Sequence, residues 1–145
     1  MALPGFTNSG DLPVGVHAVS LSVTITRFGS GSSVRRRLAA RLIRIHQIAS
    51  QTGFLARFVV FGSFVSETRN PHDVDIFIIM EDNFDVRLLS GEARMMFDHT
   101  EAQNHFGCSV FWIRRMAAIG GEQAAIEDWQ IKRDGTKRRI VEIVG

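Results

Sequence analysis

Phe58-Val59-Val60-Phe61-Gly62-Ser63-Phe64-Val65, followed by Asp73-Val74-Asp75-Ile76-Phe77-Ile78-Ile79, is the stretch that decides how this chain is read. Arg57–Phe61, an arginine followed by four apolar residues, is too short for a helix and bounded by glycines, so it reads as a buried strand. Asn70-Pro71-His72 is a turn signal, and Asp73–Met80 reads as a second buried strand. Two acids at its start are awkward. A period of two places Asp73 and Asp75 on one face, where like charges repel, and Asp is a poor strand former. A bound Mg²⁺ resolves this, because it takes oxygen ligands and bridges one or two carboxylates to substrate phosphates; the alternative is that Asp73 caps the strand after the Asn70-Pro71 turn and Asp75 pairs with an Arg. Gly62-Ser63 sits where the first strand ends. There glycine admits close approach of the backbone, and a following helical turn offers unpaired N–H groups and the Ser63 hydroxyl to a phosphate. Strand, Gly-Ser, short helical turn, then Asp-x-Asp opening an apolar strand ten residues after Ser63 together describe a site for a metal-bound triphosphate.

Working outward, Ser32 or Ser33 caps a helix whose apolar stripe is Val34, Leu38, Leu42, Ile45 and Ala49, with Gly53 as its stop. Val16–Phe28 holds a short helix or a strand. Residues 1–16, with Pro4, Gly5, Gly10, Pro13 and Gly15, read as an irregular arm pinned by Leu12 and Val14. Downstream, Phe84–His105 reads as helical, with Gly91 weakening the middle or splitting it, Ser109–Arg114 as a third strand and Glu122–Trp129 as a short helix. Ile131–Arg133 and Arg139–Val144 flank the Asp134-Gly135 turn as a C-terminal hairpin. The expected class is α/β of the α+β kind: one domain over 1–145 with a mixed sheet flanked by helices.

The 145 residues carry a net charge of +2, with 15 Arg and two Lys among the 17 basic residues. The charge is unevenly spread. Residues 1–66 hold seven Arg against Asp11 alone, and residues 67–145 hold ten basic and fourteen acidic residues. Arg makes planar, bidentate pairs with phosphate and carboxylate. Five of them, Arg35, Arg36, Arg37, Arg41 and Arg44, lie mostly off the apolar stripe of the first long helix. This surface is solvated or meets an acidic partner or nucleic acid. No apolar run approaches the ~20 residues of a membrane span. No basic residue precedes Arg27 to open a secretory signal. The single cysteine, Cys108, makes no internal disulfide, and a cytoplasmic location is expected.

The motif resembles the nucleotidyltransferase superfamily related to DNA polymerase β, in its minimal form. Gly62, Ser63, Asp73 and Asp75 match its Gly-Ser and Asp-x-Asp positions, and the likeness covers residues 55–115. The arm, the Leu12–His17 stretch and the Arg-rich helix also resemble a group of uncharacterised small bacterial nucleotidyltransferase-like proteins. The resemblance implies an NTP held by Gly62 and Ser63, metals held by Asp73 and Asp75 as catalytic residues, and transfer of NMP to a hydroxyl with loss of pyrophosphate. It also implies a separately encoded helical partner, sometimes in a toxin–antitoxin pair.

Two departures stand out. The family's third carboxylate belongs on the next strand, but Ser109-Val110-Phe111-Trp112-Ile113-Arg114 holds no acid. Ser109 takes that third position, and Glu142 or Glu67 are the other acids available. Val65-Ser66-Glu67 also stands where many minimal members carry a small residue, Arg and Gly. Two functions therefore compete. One is an Mg²⁺-NTP nucleotidyltransferase acting on a protein or nucleic-acid hydroxyl, with nucleic acid met through Arg35, Arg36, Arg37 and Arg41. The other is an interaction module on the same fold, binding a partner protein or RNA. His99, His105 and Cys108 lack the spacing of a zinc site, and Lys132, Arg133, Lys137, Arg138 and Arg139 cluster around the last turn.

Overall fold

A computed structural model describes residues 2–8, 10–129, 135 and 139–145. In chain order its elements are β1 (Gly15–Val19), α1 (Leu21–Phe28), α2 (Ser33–Gln51), β2 (Leu55–Phe61), β3 (Val74–Met80), α3 (Gly91–Met96), α4 (His99–Phe106), β4 (Cys108–Arg114), α5 (Glu122–Trp129) and β5 (Arg139–Ile143). The architecture is mixed α+β. The five strands form one sheet in the order β1-β5-β2-β3-β4. The outer pairs β1–β5 and β3–β4 run parallel, whereas β2 runs antiparallel to both β5 and β3. The parallel β3–β4 pair follows from the helical crossover through α3 and α4, since parallel neighbours cannot be joined by a tight turn.

Side chains alternate between two cores. Phe58, Val60, Ile76, Ile78 and Val110 pack with α1, α2 and α4 through Phe28, Leu38, Leu42, Ile45 and Phe106. Val59, Phe61, Phe77, Ile79 and Ile140 face the other way, against Ile126 and Trp129 of α5. β2 and β3 are thus covered on both faces, which is why they read as unbroken apolar runs. Helix α2 begins as its sequence dictates, with the Ser32 hydroxyl accepting from the Arg35 N–H at 3.1 Å. Leu38, Leu42, Ile45 and Ala49 of its stripe are buried and Val34 is half-buried.

Three expectations are refined, and one lies partly outside the described residues. Val16–Phe28 holds both a strand and a helix, with Ser20 capping α1. Leu12 is buried, but Val14 is 58% exposed and pins nothing. Phe84–His105 is not one helix. Gly91 opens α3 at φ +60°, and Asp98 restarts the chain as the N-cap of α4, accepting from the Glu101 N–H at 2.9 Å. The proposed hairpin's first arm, Ile131–Arg133, lies outside the described residues, and its second arm is β5, inserted between β1 and β2. Among the described residues no helix is long and apolar enough to cross a membrane.

Candidate functional site

Gly62 ends β2 at φ +82°, ψ −161°, a region that only glycine occupies without strain. The need for glycine is also steric. A Cβ built there would stand 2.1 Å from Oδ2 of Asp75, so the carboxylate packs directly on the bare backbone. One 3-10 turn, Ser63–Val65, follows, closed by the Val65 N–H donating to the Gly62 carbonyl at 3.2 Å. The Ser66 hydroxyl then donates to the Ser63 carbonyl at 2.6 Å and accepts from the Thr68 N–H at 3.1 Å.

This loop is held from behind by Arg35. Arg35 is 6% exposed, and its guanidinium donates to the carbonyls of Phe28 at 3.0 Å, Phe64 at 2.7 Å, Ser66 at 2.7 Å and Thr68 at 3.0 Å. Burial lowers its pKa, and the backbone oxygens satisfy the charge-bearing N–H groups. Arg35 is therefore a buried brace of the Gly-Ser loop and leaves the expected nucleic-acid surface. Arg36 and Arg37 remain exposed. Arg41 is half-buried and lies over Gly107, where a Cβ would stand 2.4 Å from its Nη1. Arg44 pairs with Glu92 at 3.0 Å.

Asp75 is the second residue of β3, opposite Phe61 of β2 and Ser109 of β4. Asp73 lies one residue before β3, and the Ser109 hydroxyl donates to its Oδ2 at 2.7 Å. Register partners point to the same face, so Ser109 ties Asp73 to the face that Asp75 occupies, as the period of two requires. Gln103 of α4 donates to the Ser109 oxygen at 3.2 Å. The strand position expected to hold a third acid thus holds a buried, hydrogen-bonded serine. Glu142 lies elsewhere, opposite Val59, and is held by Arg57, whose Nη2 donates to Oε1 at 2.8 Å. Glu67 packs its side chain against Gly10. Among the described residues no group of three His, Cys, Asp or Glu is arranged to hold an ion.

A cleft of about 390 Å³ opens between the Gly-Ser loop and β3, lined by Gly62, Ser63, Ser66 and Asp75 and also by Asp11 and Arg139. Asp11 belongs to the N-terminal arm, which bridges to Ser66 and whose Gly10 carbonyl accepts from the Glu67 N–H at 2.8 Å. Its carboxylate pairs with Nη2 of Arg139 at the start of β5. Sequence reasoning missed this pair because its members are 128 residues apart. The one available signal was Asp11 itself, the lone acid among the first 66 residues.

The weaker candidates disperse. His105 pairs with Glu92 at 3.1 Å, His99 rests on the Phe111 ring, and burial pushes the Cys108 thiol up to about 12. Lys132, Arg133, Lys137 and Arg138 lie outside the described residues.

The donors around the Gly-Ser loop and Asp73–Asp75 are carboxylate and hydroxyl oxygens, a hard set that fits Mg²⁺. A family model described as "Family of unknown function (DUF6932)" matches residues 4–144. No curated protein and no solved structure matches the chain.

Proposed function

The chain belongs to the DUF6932 family of unknown function, and we propose that it binds a Mg²⁺–nucleoside triphosphate as a nucleotidyltransferase-like protein. The observation that carries this reading is the contact of Gly62 with Asp75. The bare backbone of the phosphate turn meets a carboxylate at the distance where any side chain would intrude. Asp73 and Asp75 would hold Mg²⁺, and Gly62 and Ser63 would receive the phosphates. The bound ion would draw off triphosphate charge and orient it for transfer of NMP to a hydroxyl with loss of pyrophosphate. In that reaction the acceptor oxygen bonds to the α-phosphorus as the α–β bridging bond breaks. Arg35 shapes the loop, and Ser109 orients Asp73. The acceptor is a protein or nucleic-acid hydroxyl, with exposed Arg36 and Arg37 and half-buried Arg41 as the nucleic-acid contacts. The setting is cytoplasmic.

The Ser109–Asp73 hydrogen bond favours a second reading. A hydroxyl is a poor metal ligand and a poor base, so the fold would hold nucleotide without transferring it and act as an interaction module. Its partner would be a helical protein, as in a toxin–antitoxin pair, or RNA.

Calorimetric titration with each of the four NTPs in Mg²⁺ tests the shared premise. Binding of at least one is expected, and a folded protein that binds none overturns the proposal. The readings then part on the acceptor side. The module predicts partner binding that survives Asp73→Ala with Asp75→Ala and weakens in Arg36→Ala with Arg37→Ala. The enzyme predicts loss of labelling from α-labelled NTP in the Asp pair variant.

A further inference from the structure

We infer that Arg139 is the polyphosphate ligand of the cleft and that Asp11 occupies it until nucleotide arrives, so that the N-terminal arm competes with the phosphates for one guanidinium. This rests on the nucleotide reading above and names the cation and the control that the Gly-Ser and Asp-x-Asp motif lacks.

Arg139 and Asp11 line the same cleft as Gly62, Ser63 and Asp75. A guanidinium presents five N–H donors in a planar fork. Asp11 takes Nη2, while the buried Nε has no hydrogen-bond partner among the described residues. A buried donor without an acceptor is costly, so its protein partner does not saturate this guanidinium. A phosphate chain brings several anionic oxygens and forms the charge-assisted, forked pair that Arg favours. Asp11, by contrast, puts a negative charge where a triphosphate would lie.

Side chains of Arg139 and Asp11 are 21% and 28% exposed, so solvent reaches the pair and a phosphate arriving in the cleft can compete for the guanidinium. Asp11 is carried on the arm, whose local holds include the Thr7 N–H and hydroxyl donating to the Asp11 carbonyl at 2.7 and 3.1 Å, the Gly10 N–H donating to the Thr7 carbonyl at 2.9 Å, a bridge to Ser66, the Glu67–Gly10 hydrogen bond and the buried Leu12. Binding of phosphate to Arg139 would release the Asp11 carboxylate and loosen Thr7, Asn8, Gly10 and Asp11, coupling occupancy of the cleft to the state of the arm.

The test is calorimetric titration of Mg²⁺–tripolyphosphate and Mg²⁺–ATP into wild type, Asp11→Asn, Arg139→Gln and Arg139→Lys, with thermal melts to confirm folding. Asp11→Asn is expected to bind both probes roughly fivefold tighter, through a freed guanidinium and lost repulsion. Arg139→Gln is expected to bind roughly tenfold weaker, with Arg139→Lys between it and wild type. Should Arg139→Gln fail to fold, the Lys variant carries the test. Amide exchange of Thr7, Asn8, Gly10 and Asp11 should quicken when either probe is added. Binding by Asp11→Asn alone supports the inference in its strongest form. Weaker binding by Asp11→Asn marks Asp11 as a metal ligand and overturns it, as does unchanged affinity in either the Asp11→Asn or the Arg139 variant. If wild type binds both probes, only this inference is at stake. If no variant binds either probe, the nucleotide reading falls and takes this one with it.

Discussion

The Ser109 hydroxyl donates to Oδ2 of Asp73 at 2.7 Å from the β4 position directly opposite Asp75. A serine thus binds one carboxylate and stands in register with the other, and this defines what the site lacks. Ser109→Asp would set a third carboxylate against Asp73 and Asp75. Like charges on adjacent strands destabilise by about 1 kcal/mol, equivalent to a Tm about 3–4 °C lower in a chain of this size. Mg²⁺ at millimolar concentration should restore the loss and raise Tm more in the variant than in wild type. Equal Mg²⁺ responses in thermal melts would contradict the placement of a metal here.

Gly62→Ala tests the cradle. The new Cβ meets Asp75 Oδ2 and forces alanine into glycine-only backbone space. Denaturant unfolding should report a loss of about 1–3 kcal/mol. Calorimetry should report loss of Mg²⁺-NTP binding, since the turn and the carboxylate move together. Gly53→Ala provides the control. It also stands at positive φ, +79°, but its Cβ meets nothing within 4 Å, so it should lose stability and keep binding.

Arg35 separates a brace from a surface charge. Arg35→Met removes every guanidinium bond to the buried carbonyls of the Gly-Ser loop and should cost about 2–4 kcal/mol in urea unfolding. Arg36→Ala and Arg37→Ala alter exposed side chains and should stay within about 0.5 kcal/mol of wild type. Equal effects at all three positions would contradict the buried role of Arg35.

The buried thiol sets an alkaline limit. Burial holds Cys108 protonated up to about 12 in the folded protein, against an ordinary value of 9.0. The unfolded state therefore loses this proton first, and stability falls as pH rises from about 9 towards 12. Cys108→Ala should show a shallower decline over that range, although it is less stable at neutral pH because it leaves a cavity. Native Cys108 should also resist iodoacetamide at pH 8 until denaturant is added.

The strands of the site were legible because burial on both faces writes an apolar run, as in Phe58–Phe61 and Ile76–Met80, and because two aspartates at one end of such a run need a cause. The α2 cap and stripe were legible for the same local reason. What failed was non-local. The role of Arg35 depends on a loop about 30 residues downstream, which helical periodicity does not encode. The Asp11–Arg139 pair depends on β5 entering the sheet between β1 and β2, a topology that no turn signal announces. The break within Phe84–His105 was half visible. Gly91 marks a weak or split middle in the sequence, its positive φ falls at the start of α3, and the Asp98 N-cap supplies the second boundary.

The most direct test of the central claim is calorimetric titration of Mg²⁺-NTP into wild type and into Asp73→Asn with Asp75→Asn, each with and without Mg²⁺. The account predicts that wild-type affinity rises with Mg²⁺, and that this Mg²⁺ dependence disappears in the folded double variant. Nucleotide binding equally strong with and without Mg²⁺ in both proteins would contradict it.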